Sequence, residues 1–559
     1  MSRANLVHIV AYGGAMWGHI RSLIILCIKL AALSPNLVIT LPLMPDLRVK
    51  AVKEVEHLLP SEGLVGAELD DVRARCRFVV VEPPADWTPP AGAEARSPVV
   101  MPVALASAAF QNFIVQTFDR SSSQAGGSGS GNWPLPSLFL VDFFVKYDRE
   151  LIRKHMPQAR FLLFWSTSLS YLLFCFSPEA KGPASEWIHA VKSIKDEAQL
   201  ELALGQAGGS TAADKLDLGD CPGHFRHEHF PCRMTPVPDA GLLLRHMASN
   251  FLQTSDGVVL TSGAWLETIS AKKIHEFFDI QQGRPTYNVN MMIPTKLELL
   301  KEDSTGVNSA SSDPVIAFMD KALAEEGEQS VLYISFGTAW GPLPWQVEVL
   351  IKTLVAAKRR FVLSTAAKFY YDTPEANAAI ERAEKLGLGM AANWIPQTTV
   401  LKHPALLAFL THGGWNSFCE SLIAAVPMIL WPFCVEQPFM ASLLSAVDEP
   451  AAWQLYEVRG PSVTQFVPFH FSSGPRTSER GEPIPVPTGT PEALQREFER
   501  VLVREAARGS PELARRRERM VALREEYLES TKPGGETHRA MAELLTPLGC
   551  VIKDTPATL

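Results

Sequence analysis

Two distant segments of the chain share one pattern, in which an apolar run is followed by glycines and then by a helical run. In the first, LVHIVAY (6–12) precedes the turn GGAMWGH and a helical run from Ile20. In the second, LLAFLT (406–411) precedes a His-Gly-Gly turn and a helical run from Trp415. A strand, a turn and a helix form part of a βαβ unit, so the pattern predicts parallel α/β sheets rather than a β-sandwich.

Further apolar runs divide the chain into two α/β halves. Those that predict buried strands are NLVITLP (36–42), RFVVVE (77–82), SLFLVDFF (137–144), ARFLLFW (159–165), SVLYISFG (330–337), RFVLST (360–365) and PMILWPF (427–433). The polar, turn-rich stretch 298–314 interrupts the series. We therefore predict a Rossmann-like domain over 1–295, a linker over 296–314, a second Rossmann-like domain over 315–535, and a C-terminal helix and tail over 536–559 that pack back on the first domain.

Three other segments have a distinctive composition. The Ser/Gly-rich stretch 121–132 predicts a flexible loop, and the Pro/Ser/Gly-rich stretch 459–489 a long loop whose role the sequence leaves open. Thr490-Pro491 and Ser510-Pro511 each offer an N-cap followed by Pro at the first helical position. They predict two charged C-terminal helices with solvated faces.

Charge and cysteine usage exclude several classes of protein. The 559 residues include 52 basic and 60 acidic side chains, a net charge of −8 that argues against nucleic acid or an anionic membrane as the main partner. The longest apolar run of the N-terminal region, LIILCIKLAAL, has about half of the roughly 20 residues that cross a bilayer, so we expect no transmembrane segment. Eight irregularly spaced cysteines predict free thiols and a cytoplasmic protein.

The segment from Trp394 to Gln437 carries the chemistry. Where the strand 406–411 ends, glycines allow a tight turn into a helix, whose unpaired N–H groups and dipole form an anion site. Asn416 and Ser417 can add side-chain donors. Glu420, one turn into the helix, can accept the hydroxyl hydrogens of a ribose, and Trp394 offers a flat face to a base. These features suit a nucleotide diphosphate.

This segment resembles the 44-residue signature box of UDP-sugar-dependent glycosyltransferases of the plant secondary-product type. The residues that fall on the family's positions are Trp394, Pro396, Gln397, His403, His412, Gly414, Trp415, Asn416, Ser417, Glu420, Pro427, Trp431, Pro432 and Gln437. The resemblance implies the GT-B architecture, in which two Rossmann-like domains face each other across a cleft. The second domain would bind the UDP-sugar and the first the acceptor.

The resemblance also implies a role for each matched residue. Trp394 would stack on uracil with Gln397 nearby, Glu420 would bind the ribose, and His412, Gly414, Asn416 and Ser417 the diphosphate. Trp415, Glu436 and Gln437 would face the sugar. The family often has Asp where this chain has Glu436, and its glucose-using members commonly have Gln at the position of Gln437. SVLYISFGT (330–338) resembles the strand and turn before the phosphate site, which suggests backbone contacts from Gly337 and Thr338.

The first half supplies a candidate base. His19 follows the first glycine turn, and imidazole titrates near neutral pH, as a base that deprotonates an acceptor hydroxyl requires. The family's catalytic histidine matches His19, and Asp142 in SLFLVDFF matches the carboxylate that orients it. Ser166 or Thr167 falls where the family has a hydroxyl near the sugar. Trp431 is expected to be a core residue instead.

The function so implied is inverting transfer of a hexose, with glucose favoured, from a UDP-sugar to a hydroxyl of a small hydrophobic alcohol or phenol. The product would be a β-O-glycoside. No Asp-x-Asp pair occurs in the sequence, which favours transfer without a metal and without any other cofactor. The stretches 84–113, 165–176 and 221–245 are expected to form the acceptor walls.

Two alternative functions and one alternative site stay open. A UDP-sugar epimerase would share the architecture but lack the signature box, and a non-catalytic UDP-sugar-binding protein would lack His19 or Asp142. CPGHFRHEHFPC (221–232) holds five candidate zinc ligands, at Cys221, His224, His227, His229 and Cys232. Their spacing fits no standard zinc motif, so packing is favoured over metal there. The acceptor's identity and the oligomeric state are not encoded in any motif.

Overall fold

The computed structural model describes residues 5–88, 100–118, 133–177, 180, 182–196, 198–200, 202–203, 213–232, 247–248, 250, 255–294 and 313–553. The predicted loop 121–132 and nearly all of the predicted linker 296–314 lie outside these residues. Parts of the predicted acceptor walls, 89–99 and 233–245, lie outside them as well.

Strands occur in both halves of the chain, mostly as short buried runs. They are β1 (Val7–Tyr12), β2 (Leu37–Leu43), β3 (Cys76–Val80), β4 (Leu138–Asp142), β5 (Arg160–Trp165), β6 (Lys215–Leu216), β7 (His224–Phe225), β8 (Gly257–Leu260), β9 (Thr286–Asn288), β10 (Val331–Ser335), β11 (Arg360–Ser364), β12 (Gly389–Ala392), β13 (Leu406–Thr411), β14 (Met428–Leu430), β15 (Ala452–Gln454), β16 (Arg476–Thr477) and β17 (Pro483–Ile484).

Helices alternate with the strands of both halves. They are α1 (Trp17–Leu33), α2 (Pro45–Ser61), α3 (Gly66–Arg75), α4 (Val100–Phe118), α5 (Arg149–His155), α6 (Leu169–Phe176), α7 (Ala184–Ser193), α8 (Thr268–His275), α9 (Pro314–Glu326), α10 (Pro344–Ala356), α11 (Pro374–Lys385), α12 (Gln397–Lys402), α13 (Trp415–Ala424), α14 (Gln437–Ser445), α15 (Pro491–Phe498), α16 (Pro511–Ser530) and α17 (Glu536–Leu545). Single π-helical turns, Glu276–Gln281 and Glu499–Glu505, extend α8 and α15.

Each half is built on one parallel sheet. The first has the strand order β3-β2-β1-β4-β5-β8-β9 and the second β12-β11-β10-β13-β14-β15. Both orders reverse once, between β1 and β4 and between β10 and β13, and neighbouring strands pair in parallel at both places. Ligands of open α/β sheets bind at such a reversal, outside the carboxyl ends of the strands. The topology therefore places the loops after β1, β4, β10 and β13 at the site.

Two hydrophobic clusters cover the faces of each sheet, as expected of a buried parallel sheet. Helix α1 lies in one of them, and ten of its residues are buried. Helix α17 joins the same cluster through Ala540, Met541, Leu544 and Leu545. The last helix therefore packs on the first sheet, although it comes after the strands of the second sheet in the sequence. No helix of the described residues is long and apolar enough to cross a membrane.

Two sequence predictions differ from the structure. The strand predicted at 77–82 is not buried: β3 lies at the edge of the first sheet, pairs only with β2, and ends at Val80, which is 41% exposed. The charged helices begin at their predicted caps, Thr490 and Ser510, but α16 is not simply solvated. Glu512 is buried because the 459–489 segment folds over it and Arg480 donates to its carboxylate at 2.6 Å.

Candidate active site

His19 and Asp142 meet at the reversal of the first sheet. Asp142 is the last residue of β4, and His19 lies in the first turn of α1, which follows the neighbouring strand β1. The His19 Nδ1 atom lies 2.7 Å from Asp142 Oδ2. The other oxygen of Asp142 accepts the backbone N–H of Phe144 at 3.0 Å, which fixes the carboxylate. Because a carboxylate only accepts, Nδ1 carries the proton and Nε2 is the basic nitrogen.

The surroundings of His19 tune its basicity. Burial alone lowers the pKa of this imidazole, but the charge of Asp142 and its hydrogen bond outweigh burial, so the pKa of His19 is raised above its ordinary value. Glu436, from the second half of the chain, adds to this effect. The rings of Phe143 and Phe144 lie 5.3 and 5.6 Å from the imidazole. The base therefore lies in an aromatic environment suited to an apolar acceptor.

The anion site lies at the reversal of the second sheet. Strand β13 ends at Thr411, Gly413 turns the chain with a φ of 79°, and α13 begins at Trp415 with Gly414 as its N-cap. The N-cap residue itself, Gly414, makes no side-chain hydrogen bond to this helix. Its first N–H groups therefore face outward for an anion, except that of Trp415, which donates to Glu436 Oε1 at 3.2 Å.

His412 is held between two glycines. A Cβ atom at Gly337 would lie 2.9 Å from the imidazole Cε1, and one at Gly414 would lie 2.5 Å from Nε2. Burial lowers the pKa of His412 to about 4, so the ring is neutral at physiological pH. It can donate one hydrogen bond to a phosphate but adds no positive charge there. Thr338 follows Gly337 in the same turn after β10.

The predicted ribose and base residues form a hydrogen-bonded chain. Tyr333 donates to Gln397 Oε1 at 2.9 Å, and Gln397 Nε2 donates to Glu420 Oε2 at 2.6 Å. Trp394 is 73% exposed, so its indole face is open to a base. Lys50 of the first half lies 5.3 Å from the Trp394 ring centroid, which brings α2 to the edge of this subsite.

Two of the predicted sugar residues lie at the start of α14, with Glu436 as its N-cap and Gln437 as its first residue. Gln437 is buried, and its Oε1 accepts the backbone N–H groups of Phe433 at 2.9 Å and Cys434 at 3.4 Å. These two hydrogen bonds fix the orientation of its amide. Burial raises the pKa of Glu436 above its usual range.

Trp415 differs from its prediction, since its indole packs against Phe418 in the core and only its backbone N–H lies at the site. Ser166 lies just past the end of β5. Its hydroxyl and that of Thr167 are buried without a hydrogen-bond partner among the described residues. Trp431 is fully buried, as predicted.

Solved structures share this architecture. The fold is similar to that of Medicago truncatula UGT71G1 complexed with UDP-glucose, with a TM-score of 0.63 and 16% identity over 98% of this chain and 100% of that one. It is also similar to Phytolacca americana UGT2 complexed with UDP-2fluoro-glucose and pterostilbene, with a TM-score of 0.60 and 17% identity over 97% and 99% of the two chains. These matches confirm the predicted two-domain GT-B fold.

Residues 284–456 match the family model described as UDP-glucoronosyl and UDP-glucosyl transferase, a range that contains the whole 394–437 segment. Over this range the chain matches the UDP-glycosyltransferase family. Among curated members, it is 38% identical to the 7-deoxyloganetin glucosyltransferase of Gardenia jasminoides over 46% of this chain and 62% of that protein. It is 39% identical to the anthocyanidin 3-O-glucosyltransferase UFGT of Vitis vinifera over 23% and 27% of the two chains. The alignments thus cover less than two thirds of these relatives.

The Cys/His-rich segment 221–232 of the first half contacts residues of the second half. The Sγ atoms of Cys221 and Cys232 lie 3.6 Å from the carbonyl oxygen of Phe439 and 3.2 Å from that of Pro432. Glu228 forms a buried ion pair with an arginine of the second half, at 2.8 Å. No group of three His, Cys, Asp or Glu side chains among the described residues could hold a metal ion. The contacts that the structure shows for this segment are packing contacts and a buried ion pair with the second half.

Sequence reasoning missed several residues of the site. Arg21, Ser22 and Lys50 of the first half contact residues predicted to bind the nucleotide, and Tyr333 positions Gln397. Arg21 and Ser22 follow His19 closely in α1, which was the one available signal. Their partners lie nearly 400 residues further along the chain.

Proposed function

We propose that this protein is an inverting UDP-glycosyltransferase that moves a hexose, with glucose preferred, to a hydroxyl of a small hydrophobic alcohol or phenol. The observation that carries the proposal is the His19–Asp142 pair at 2.7 Å, in the first half, facing an anion site in the second. A UDP-binding protein without activity would need only the second feature. The pair is the arrangement that general-base catalysis requires.

This geometry supports the following reaction. His19 Nε2 removes the acceptor's hydroxyl proton while the hydroxyl oxygen forms a bond to C1 of the sugar. The bond from C1 to the UDP oxygen breaks on the opposite face, and UDP leaves with the electron pair. An α-linked donor then gives a β-glycoside. Asp142 orients the imidazole and stabilises its protonated form.

Leaving-group charge would be carried by the protein itself. The N–H groups at the start of α13 and the neutral His412 would donate to the diphosphate. The two nearby carboxylates already accept from protein donors, Glu420 from Gln397 and Glu436 from the Trp415 N–H. These contacts, and the lack of an Asp-x-Asp pair, support transfer without a metal or other cofactor.

The donor and acceptor proposals rest on two further features. The fixed amide of Gln437 supports glucose, as do the glucosyltransferase names of the Gardenia and Vitis relatives. Aromatic rings surround His19 and support an apolar acceptor. Eight free cysteines support a reducing, cytoplasmic location.

The test is transfer by the purified protein from UDP-glucose or UDP-galactose to a panel of phenols, flavonoids, sterols and aliphatic alcohols, with and without chelator. We expect a mass gain of one hexose, faster with UDP-glucose, insensitive to chelator, and abolished by His19→Ala. His57→Ala, at an exposed position of α2, is the matched control and should retain activity.

Each other outcome points to a different function. UDP-glucose binding without product over the whole panel would support the non-catalytic binding protein. Conversion of the donor sugar without transfer would support the epimerase. Loss of product with chelator would contradict the metal-free proposal.

A further inference from the structure

Helix α1 of the first half packs directly on α13, the helix of the proposed nucleotide site. Ser22 Oγ donates to Asn416 Oδ1 at 3.2 Å, and Arg21 Nη1 donates to Glu420 Oε1 at 3.2 Å. A Cβ atom at Gly18 would collide with the Asn416 amide. Spacings of three and four residues place Gly18, Arg21 and Ser22 on one helical face, so this is a built helix–helix contact.

The Arg21 guanidinium is held on both sides. Its Nε donates to Glu54 Oε1 of α2 at 2.7 Å, within the first half, while Nη1 reaches across to Glu420. Both Arg21 and Glu420 are about four-fifths buried, at 20% and 21% side-chain exposure. The rigid planar fork of arginine suits such bridging, because one contact fixes the direction of the other.

Glu420 is thereby fixed through both of its oxygens. Oε2 accepts from Gln397 at 2.6 Å, and Oε1 accepts from Arg21. A carboxylate offers about four acceptor sites in all, so each oxygen keeps one free for a ligand. Two free acceptor sites in a fixed plane match the two adjacent hydroxyl groups of a ribose.

We propose that Arg21 is a positioning residue for the donor ribose, holding the Glu420 carboxylate in a fixed orientation from the domain that carries the catalytic base. The inference rests on the proposed function. It adds that ribose recognition needs both halves of the chain. Since Arg21 follows His19 by two residues in α1, one rigid element links the ribose contact to the base.

The test measures binding of UDP and of 2′-deoxy-UDP by calorimetry. If Arg21 orients Glu420, removing the Arg21 side chain lowers the affinity for UDP more than the affinity for 2′-deoxy-UDP, because the analogue lacks one of the two ribose hydroxyls. We expect Arg21→Met to reduce the wild-type preference for UDP over 2′-deoxy-UDP by about tenfold, the lower end of the scale of one charge-assisted hydrogen bond. Arg21→Lys should lie between, because it keeps the charge and loses the fork.

The matched control is Arg73→Met. Arg73 also donates to a glutamate of α2, Glu56 at 2.6 Å, but lies exposed on α3, and its ion pairs with described residues stay within the first half. It should keep the wild-type preference. Glu420→Gln should reduce the preference at least as far as Arg21→Met.

Other results would distinguish a failure of this inference from a failure of the proposed function. An unchanged UDP preference in Arg21→Met, in a variant with the wild-type melting temperature, would overturn the inference and leave Arg21 as a domain contact. If Arg21→Met does not fold, Arg21→Lys decides in the same way. Wild-type protein that binds no UDP would overturn the proposed function itself.

Discussion

Replacing His229 by phenylalanine tests the packing of the 221–232 segment. His229 ends the 3-10 turn Arg226–His229 and is 3% exposed. Its ring lies 4.4 Å from those of Phe174 and Phe230, and neither ring nitrogen has a hydrogen-bond partner among the described residues. Burial, with smaller contributions from the nearby His224 and Arg226, lowers the pKa of His229 to about 3. The fold therefore holds a neutral imidazole where only apolar contacts are available.

The magnitude follows from proton linkage. Between pH 6.5 and pH 3 the unfolded chain binds a proton at this position and the folded chain does not, so the free energy of unfolding falls as the pH falls. At pH 5 the loss from this one residue is about 2 kcal/mol, for an ordinary pKa of 6.5. Phenylalanine removes the titration and the two unpaired nitrogens while keeping a ring of similar size. The difference in the free energy of unfolding between His229→Phe and wild type should therefore shift in favour of the variant by about 2 kcal/mol from pH 7.5 to pH 5.

The assay is urea unfolding followed by tryptophan fluorescence at pH 7.5 and pH 5.0. We expect His229→Phe to be at least as stable as wild type at the higher pH and clearly more stable at the lower. His57→Phe, at an exposed position, should show no such pH dependence. An equal difference at both pH values would refute the reasoning, because His229 would then not be a buried neutral group.

Two more predictions concern the proposed reaction. Asp142→Asn should lower the transfer rate by about two to four orders of magnitude. It should also move the acid limb of the rate–pH profile to lower pH. The base acts when deprotonated, and the variant lacks the charge that raises the pKa of His19. An acid limb that does not move would contradict that assignment. Gly337→Ala should weaken UDP binding, because it strains a backbone φ of 73° and pushes a Cβ to 2.9 Å from the His412 ring. Gly387→Ala, with a similar φ of 69° and open space around it, controls for strain and should cost only stability; equal UDP affinities for the two variants would refute the role of the close contact.

Much of the fold could be predicted from local pattern. Apolar runs and glycine turns predicted most strands of both sheets, because a buried parallel strand requires an almost continuous apolar run. The short strands β8, β9, β12 and β15 were not predicted. The prediction that β3 is buried was wrong, because an apolar run looks the same whether the strand pairs on one side or on both. Which strand lies at an edge depends on strand order, and no local pattern encodes that order.

The site likewise contains residues that could be predicted from the sequence and residues that could not. His19 and Asp142 were predicted from their resemblance to the family's residues, and their 2.7 Å contact follows from the adjacency of β1 and β4. Arg21 was not predicted, because its partner Glu420 lies 399 residues away. The pairing depends on how two separately folded halves dock. Trp415 shows the same limit, since the motif fixes its position but not which of its groups faces the ligand.

Helix α14 connects the proposed donor-sugar site with the 221–232 segment of the first half. Gln437, the proposed sugar residue, begins this helix, and Phe439 and Ser442 on the same helix contact the 221–232 segment. That segment is held by the buried pair of Glu228 and Arg459 at 2.8 Å, an interaction whose loss on one side costs about 3–5 kcal/mol. A change in the segment therefore alters the support of the donor-sugar helix as well as the surface of the first half. Exchanging this segment between relatives would need its partners on α14 and at Arg459 to be exchanged with it.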